Sequence, residues 1–240
     1  MSGSTINSKA LNPDNIAFLN WNIYKGNGNN WKKDLSDFAK NHNVMTIQEA
    51  LLNEELSGLL KTHNFNWDMH TAFYLDGIAA GVMTVASSQA IHSCGYRMKE
   101  PFIRIPKSTL VSYYAIENHS EKLLVANIHS INFTLGMNAY RKQLTQLYNA
   151  VQHHEGPMIV AGDFNSWSGN RLTELNTLVN KLSLTEIEYP INNKTHIFGN
   201  AIDHVFYRQL ELKNNKVWQV SSSDHNPISV NFRVIREPVI

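Results

Sequence analysis

The chain is short of the features that mark several protein classes. It has one cysteine, Cys94, among 240 residues, which excludes a disulfide framework and a cysteine-based zinc site. Cys94 is expected as a small buried apolar residue. No apolar run approaches the ~20 residues a membrane span needs. The stretch up to Asn15 is polar apart from Ile6, Ala10 and Leu11 and has no h-region. The expectation is a loose tail over residues 1–15 and a single domain over 16–240 of a cytoplasmic protein. Net charge is scarce too, with 21 basic residues against 20 acidic. That excludes a basic protein that coats nucleic acid but allows an enzyme that handles phosphates locally. Gly26-Asn27-Gly28-Asn29-Asn30 lacks the Lys-Ser/Thr of a P-loop and the spacing of a dinucleotide fingerprint. It reads as a turn, with Asn30 as the N-cap of a helix that begins at Trp31. No repeat, low-complexity tract or linker divides the chain, and a 42% hydrophobic composition suits one large core.

What the chain has in quantity is short apolar strands that end in a polar residue. Met158-Ile159-Val160-Ala161 is a continuous apolar run, as expected of a strand covered on both faces. Gly162 relaxes the backbone at its end, and Asp163 and Asn165 follow two residues apart. Taken alone, such a pair could simply cap a turn. Comparable runs are 16–23, which brings Asn22 to its end, 44–49, closed by Glu49, and 123–129, closed by His129. Residues 201–207 carry the Asp203–His204 pair, and 221–227 form a polar loop with Asp224 and His225 before a last strand at 228–234. Helical spacing predicts helices from Trp31 to about Asn41, Glu54 to Lys61, Met137 to His154 and Arg171 to Lys181. His153 and His154 are expected at a helix C-terminus, interacting with its dipole. Arg97, Lys99, Arg104 and Lys107 form a mild basic stretch, either a solvated loop or a patch that steers phosphates.

Polar residues at strand ends are where α/β folds place chemistry, because a rigid sheet fixes them and the loops leave room for substrate. One such residue means little. Six clusters made only of Asn, Glu, His and Asp are hard to assign to turns.

In order, Trp21-Asn22, Gln48-Glu49, Asn127-Ile128-His129, Gly162-Asp163-Phe164-Asn165, 202–206 and Ser223-Asp224-His225 resemble the motifs of the endonuclease/exonuclease/phosphatase superfamily. That superfamily includes DNase I, AP endonucleases, neutral sphingomyelinases and inositol-polyphosphate 5-phosphatases. The resemblance covers about residues 16–232, and residues 127–133 with the helix after them look like the bacterial YafD-like subgroup. It implies an α/β (α+β) fold of the DNase I type: a four-layer sandwich of two packed mixed sheets flanked by helices. It also implies Mg²⁺, or Mn²⁺ in its place, held by Glu49 with Asn22 and Asp224. Oxygen-only ligation suits a hard cation that keeps several waters. Asp163 would orient or deprotonate the attacking water, and Asn165 would bind a phosphate oxygen. His225, its tautomer held by Asp224, would be general base or charged clamp. His129 stands where DNase-I-like members have His, with Asp203 as its expected orienting partner. Arg141 and Gln143 could add substrate or packing contacts. The sequence leaves open whether Asp163 or His225 takes the proton.

The chemistry asks for these residue types independently. Hydrolysing a phosphate ester requires stabilising charge on the non-bridging and leaving oxygens while a water is aimed in line. The reading is a Mg²⁺-dependent phosphodiesterase acting on nucleic acid, monomeric and without an obligate protein partner. A 5-phosphatase fits less well. That branch has Tyr-Arg after Gly-Asp-x-Asn and a later Trp-Cys-Asp-Arg, where this chain has Ser166-Trp167 and Ala201-Ile202-Asp203-His204. A sphingomyelinase-like enzyme of lipid headgroups or small esters is the alternative, although the exposed apolar hairpin it would favour is not identifiable in the sequence. A binding module that keeps the fold without turnover is the third reading. Retention of Glu49, Asp224 and His225 counts against it.

Overall fold

The computed structural model describes residues 1–4, 9–101, 105–134 and 136–235. Among these, two mixed sheets pack face to face. The first runs in the order β1 (Ser2–Gly3), β4 (Asn66–Leu75), β5 (Ile78–Ala86), β3 (Val44–Leu51), β2 (Ile16–Asn22), β15 (Ile228–Val234) and β14 (Leu210–Val217). The second runs β10 (Thr185–Glu186), β13 (Asp203–Arg208), β9 (Met158–Asp163), β8 (Leu123–His129), β7 (Pro106–Tyr114) and β6 (His92–Lys99). A small hairpin pairs β11 (His196–Ile197) with β12 (Asn200–Ala201).

Alternation along the strands builds three apolar layers from single runs. Ile16 and Phe18 of β2 meet Val125, Ile159 and Val205 between the sheets. Leu19 and Trp21 of the same strand point the other way, onto Leu35 of α1 (Trp31–Ala39) and Leu56 and Leu60 of α2 (Glu54–Thr62). Leu124, Ala126 and Ile128 of β8 likewise cover Tyr140 and Leu144 of α3 (Asn138–Val151) and Leu175 and Leu178 of α4 (Gly169–Lys181). Every central strand is therefore buried on both faces, which is why the apolar runs are continuous. Each large side chain so enclosed stabilises the fold by about 1.5–3 kcal/mol before the cost of ordering it. The four expected layers are present.

Three local expectations change. Asn30 occupies the N-cap of α1 at φ 71° but makes no side-chain capping bond, whereas Asn53 and Ser168 accept from Leu56 N and Arg171 N. Helix α3 stops at Val151, so His153 and His154 lie beyond it, and His154 Nε2 sits 3.1 Å from the Pro157 carbonyl. Where described, the N-terminal segment is tied down. Ser2 and Gly3 pair with Asp68 and Trp67 at the open edge of β4, and Leu11 is buried between backbone bonds to Ala115 and Glu117. No helix among the described residues is long and apolar enough to cross a membrane.

Candidate active site

Register decides which strand ends meet. β8 runs parallel to β9 with His129 beside Asp163, and β13 runs antiparallel to β9 with Asp203 opposite Asp163. Three functional side chains thus lie in a row across one sheet. The facing sheet brings Asn22 beside Gln48, with Glu49 next in the chain. An amide network locks the sheets together beneath them: Gln48 Nε2 donates to Asn127 Oδ1 (2.7 Å) and to Asn20 Oδ1 (2.9 Å), and Asn127 Nδ2 donates to the Met83 carbonyl (2.8 Å). These groups are buried, so leaving one unpaired would cost about 1–3 kcal/mol.

Two site residues hold left-handed backbones that non-glycine residues seldom adopt. Asn165 lies at φ 46° and Glu49 at φ 51°. Glu49 sits where the β3–β5 register slips between Ile47 and Ala50, and a bulge of this kind re-aims a side chain. Gly162 answers a different constraint. A Cβ on it would stand 1.9 Å from the Ile128 carbonyl oxygen, so β8 and β9 approach this closely only with glycine there.

Asp163 Oδ2 is the hub. Asn22 Nδ2 donates to it at 3.2 Å, His129 Nε2 lies at 3.3 Å and His225 Nε2 at 3.9 Å. Its Oδ1 accepts the Asn165 N–H at 2.9 Å, while Asn165 Nδ2 donates to the Ser130 carbonyl at 3.0 Å. Burial, with the nearby Asp203 carboxylate adding to it and His225 opposing it, raises the Asp163 carboxyl to about 6.

The two histidines differ. Burial works against a charge on His225, but the Asp203 carboxylate overcomes it, aided by Asp163 and Asp224, and its pKa is raised to about 10. His225 is therefore an imidazolium at neutral pH. His129 is held well below the usual imidazole range, first by burial and then by the Lys107 ammonium. Lys107 Nζ lies 2.7 Å from His129 Nε2. An ammonium has only donors, so Nε2 is the acceptor and His129 is neutral with its proton on Nδ1.

The orienting partners differ from those expected. Asp203 Oδ2 is 2.7 Å from Nδ1 of His225, not against His129. Asp224 does not hold the His225 ring, because its exposed carboxylate turns to Ser223 Oγ at 3.4 Å. The loop is held instead by Trp21 Nε1 donating to the His225 carbonyl and Ser223 Oγ donating to the Asn22 carbonyl. His204, next to Asp203, points the other way and stacks on Phe206. Arg141 is not at the site: its guanidinium bonds Glu174 at 2.9 Å in a separate surface groove between α3 and α4. Gln143 is structural, joining the Ile131 N–H to the His129 carbonyl.

Sequence reading left one contributor open and missed two. Lys107, placed in a basic stretch, reaches His129, while Arg104 of that stretch lies outside the described residues. Lys25 pairs with Glu49 Oε2. Buried Arg171 donates to the carbonyls of Ile131, Asn132 and Asn165, fixing the loops on both sides of Asp163. Only an arginine in the first turn of an otherwise amphipathic helix hinted at that role.

The donor set fits a hard cation. Glu49 supplies a carboxylate with its Oε1 3.9 Å from His129 Nε2, Asn22 supplies an amide, and the Lys25 ammonium on Glu49 shows that this carboxylate draws positive charge. Among the described residues no three of Asp, Glu, His and Cys stand close enough to cage an ion. An ion there would keep several waters, as Mg²⁺ does.

Comparison with known proteins bears on the family and the fold. The model of the Endonuclease/Exonuclease/phosphatase family matches residues 19–225. A relative named UPF0294 protein, from Vibrio campbellii, is 44% identical over 215 residues, spanning 89% of this chain and 76% of its own. The fold is shared with ANGEL2, a 2′,3′-cyclic phosphatase, at a TM-score of 0.74 and 15% identity over 93% of this chain and 96% of that one. It is shared also with the catalytic domain of human Nocturnin, at 0.69 and 16% over 93% and 96%. The matched span runs from the middle of β2 to His225 and takes in each strand end that converges on Asp163. On that extent of agreement, the chain belongs to the Endonuclease/Exonuclease/phosphatase family.

Proposed function

We propose that this member of a phosphoesterase family hydrolyses phosphodiester bonds, with nucleic acid as the substrate class, and that a divalent cation, Mg²⁺ or Mn²⁺, assists. The observation that carries this is the convergence of Asn22, His129 and His225 on Asp163 Oδ2, within 3.2–3.9 Å. Glu49 and Asn22 would hold the cation. When bound, it supplies charge neutralisation at the non-bridging and leaving oxygens of the ester.

The remaining roles fall to the chain's own groups. Asp163, with its carboxyl near 6, is ionised at neutral pH yet basic enough to take a proton from water. We take Asp163 as the base on that ground, with His225 already carrying its proton. The His225 imidazolium and the Lys107 ammonium supply positive charge for the phosphoryl oxygens in a largely buried setting, where it counts for more than in water. Neutral His129 separates Lys107 from Asp163.

A second reading, a lipid headgroup or small phosphate ester, is favoured by one specific observation. The tip of the β4–β5 hairpin exposes Tyr74 and Leu75, and Phe73 beside them lines the cavity at Glu49. Hydrolysis of single-stranded oligonucleotides compared with phospholipid vesicles, each in Mg²⁺ and in EDTA, separates the two. Metal-dependent release of nucleotides supports the first, and release of a headgroup alone supports the second.

A further inference from the structure

Beside the catalytic groups lies a cavity of about 180 Å³. Its floor is polar, reaching Glu49, Lys107 and His129, and its walls include Phe73, Ile105 and Phe133. Phe133 and Ile105 are 59% and 42% exposed and stand at the mouth. An apolar cavity of about 150 Å³ is enough for a benzene ring, so this one has room for a single ring or a short chain.

Two further groups that line it are unsatisfied. Glu100 is 0% exposed; its Oε1 accepts the Asn132 and Phe133 N–H groups, while Oε2 has no hydrogen-bond partner. Ser108 is 1% exposed and its Oγ is also unpartnered. A buried carboxylate oxygen without a donor is costly, and it faces this cost at the wall of a cavity that opens onto the phosphate-handling groups. The walls ask for an apolar body, and the unpartnered Glu100 oxygen buried in the lining asks for an N–H or O–H.

We propose that this cavity seats the alcohol half of the ester, a group no larger than one ring, with a carbon body and a hydrogen-bond donor that meets Glu100 Oε2. The proposal rests on the phosphoesterase reading and names the substrate of that same site. The chemistry has two sources, an amino-bearing base such as cytosine or an amino alcohol. Phe73 and Phe133 would contact the body of either, and Ser108 Oγ would meet a second polar atom.

Calorimetry with two pairs of phosphates tests it: cytidine against 3-methyluridine 5′-monophosphate, whose base has no N–H, and phosphoethanolamine against ethyl phosphate. In each pair one member carries the donor. Wild-type protein should bind the donor-bearing member of one pair roughly tenfold or more tightly, as expected for a bond to a charged acceptor, and the pair that shows this identifies the source. Glu100→Gln replaces the free oxygen with an NH₂ and should cut the preference to about twofold or reverse it. Should that variant fail to fold, Phe133→Ala should weaken the preferred ligand by roughly tenfold and leave the affinity for inorganic phosphate unchanged. Equal binding within both pairs, or a preference that Glu100→Gln keeps intact, overturns the proposal, as does a Phe133→Ala variant that binds like wild type. Binding needs no turnover, so the two readings fail separately. Selective binding without hydrolysis of any ester would refute the phosphoesterase, and hydrolysis without selection would refute the cavity assignment.

Discussion

Asp203 Oδ2 lies 2.7 Å from His225 Nδ1, so the carboxylate that orients the cationic histidine comes from a strand 22 residues earlier, not from the adjacent Asp224. Replacing Asp203 by Asn keeps the shape and removes the charge. The His225 pKa should fall toward the imidazole range, and kcat/KM should drop by about a hundredfold or more. Asp224→Ala, which removes an exposed carboxylate that is the smallest of the charges raising His225, should cost less than about tenfold. Titration of the His225 ring by NMR, alongside steady-state kinetics, checks both. A larger loss from Asp224→Ala would reverse the assignment.

The Asp163 carboxyl is raised to about 6 in the folded chain from 3.8. The folded state therefore holds this proton more tightly than the unfolded one. Its contribution to stability is present below the unfolded value and is lost as pH rises through about 6. In metal-free protein, Asp163→Asn should gain on wild type by on the order of 1–3 kcal/mol between about pH 4 and pH 7. Urea denaturation across that window measures it, and a constant difference would contradict it. The same variant should be inactive.

Lys107 helps hold His129 in its neutral form, second to burial. Lys107→Met should raise the His129 pKa, though burial still keeps it below a free imidazole, and should raise KM for any phosphate ester by roughly tenfold. The imidazole resonances report the first effect and kinetics the second. An unmoved His129 would mean that Lys107 acts elsewhere.

Gly162 has no room for a side chain, since a Cβ would meet the Ile128 carbonyl at 1.9 Å. Gly162→Ala should destabilise by about 3 kcal/mol or more and displace Asp163, abolishing activity even where the variant stays folded. Thermal unfolding checks the stability loss. A variant of near wild-type stability would show that β8 and β9 can separate locally.

Positions were more legible in the sequence than partnerships. Asn22, His129 and Asp163 stood out because each closes a strand buried on both faces, where a polar residue has no packing role, and Glu49 because it interrupts the apolar run of another, which continues past it to Leu51. The partner of His225 was not legible, because it depends on which residue faces Asp163 across β9 and β13, a register that no local pattern records. Lys107 read as either a solvated loop cation or part of a phosphate-steering patch, and only the fold shows that it stands at the start of a strand and reaches His129. The left-handed backbone at Glu49 was hidden for a similar reason: a bulge is a mismatch between two strands, and one strand alone does not reveal it. Arg141 looked available for substrate until α4 supplied Glu174.

The most direct test of a Glu49-centred, metal-assisted phosphodiesterase is nicking of supercoiled plasmid by wild type and by Glu49→Ala, each in Mg²⁺ and in EDTA. The account predicts open circles only from wild type with Mg²⁺, and a loss of at least about a hundredfold in the variant. Equal nicking by Glu49→Ala, or cleavage that survives EDTA, would contradict it.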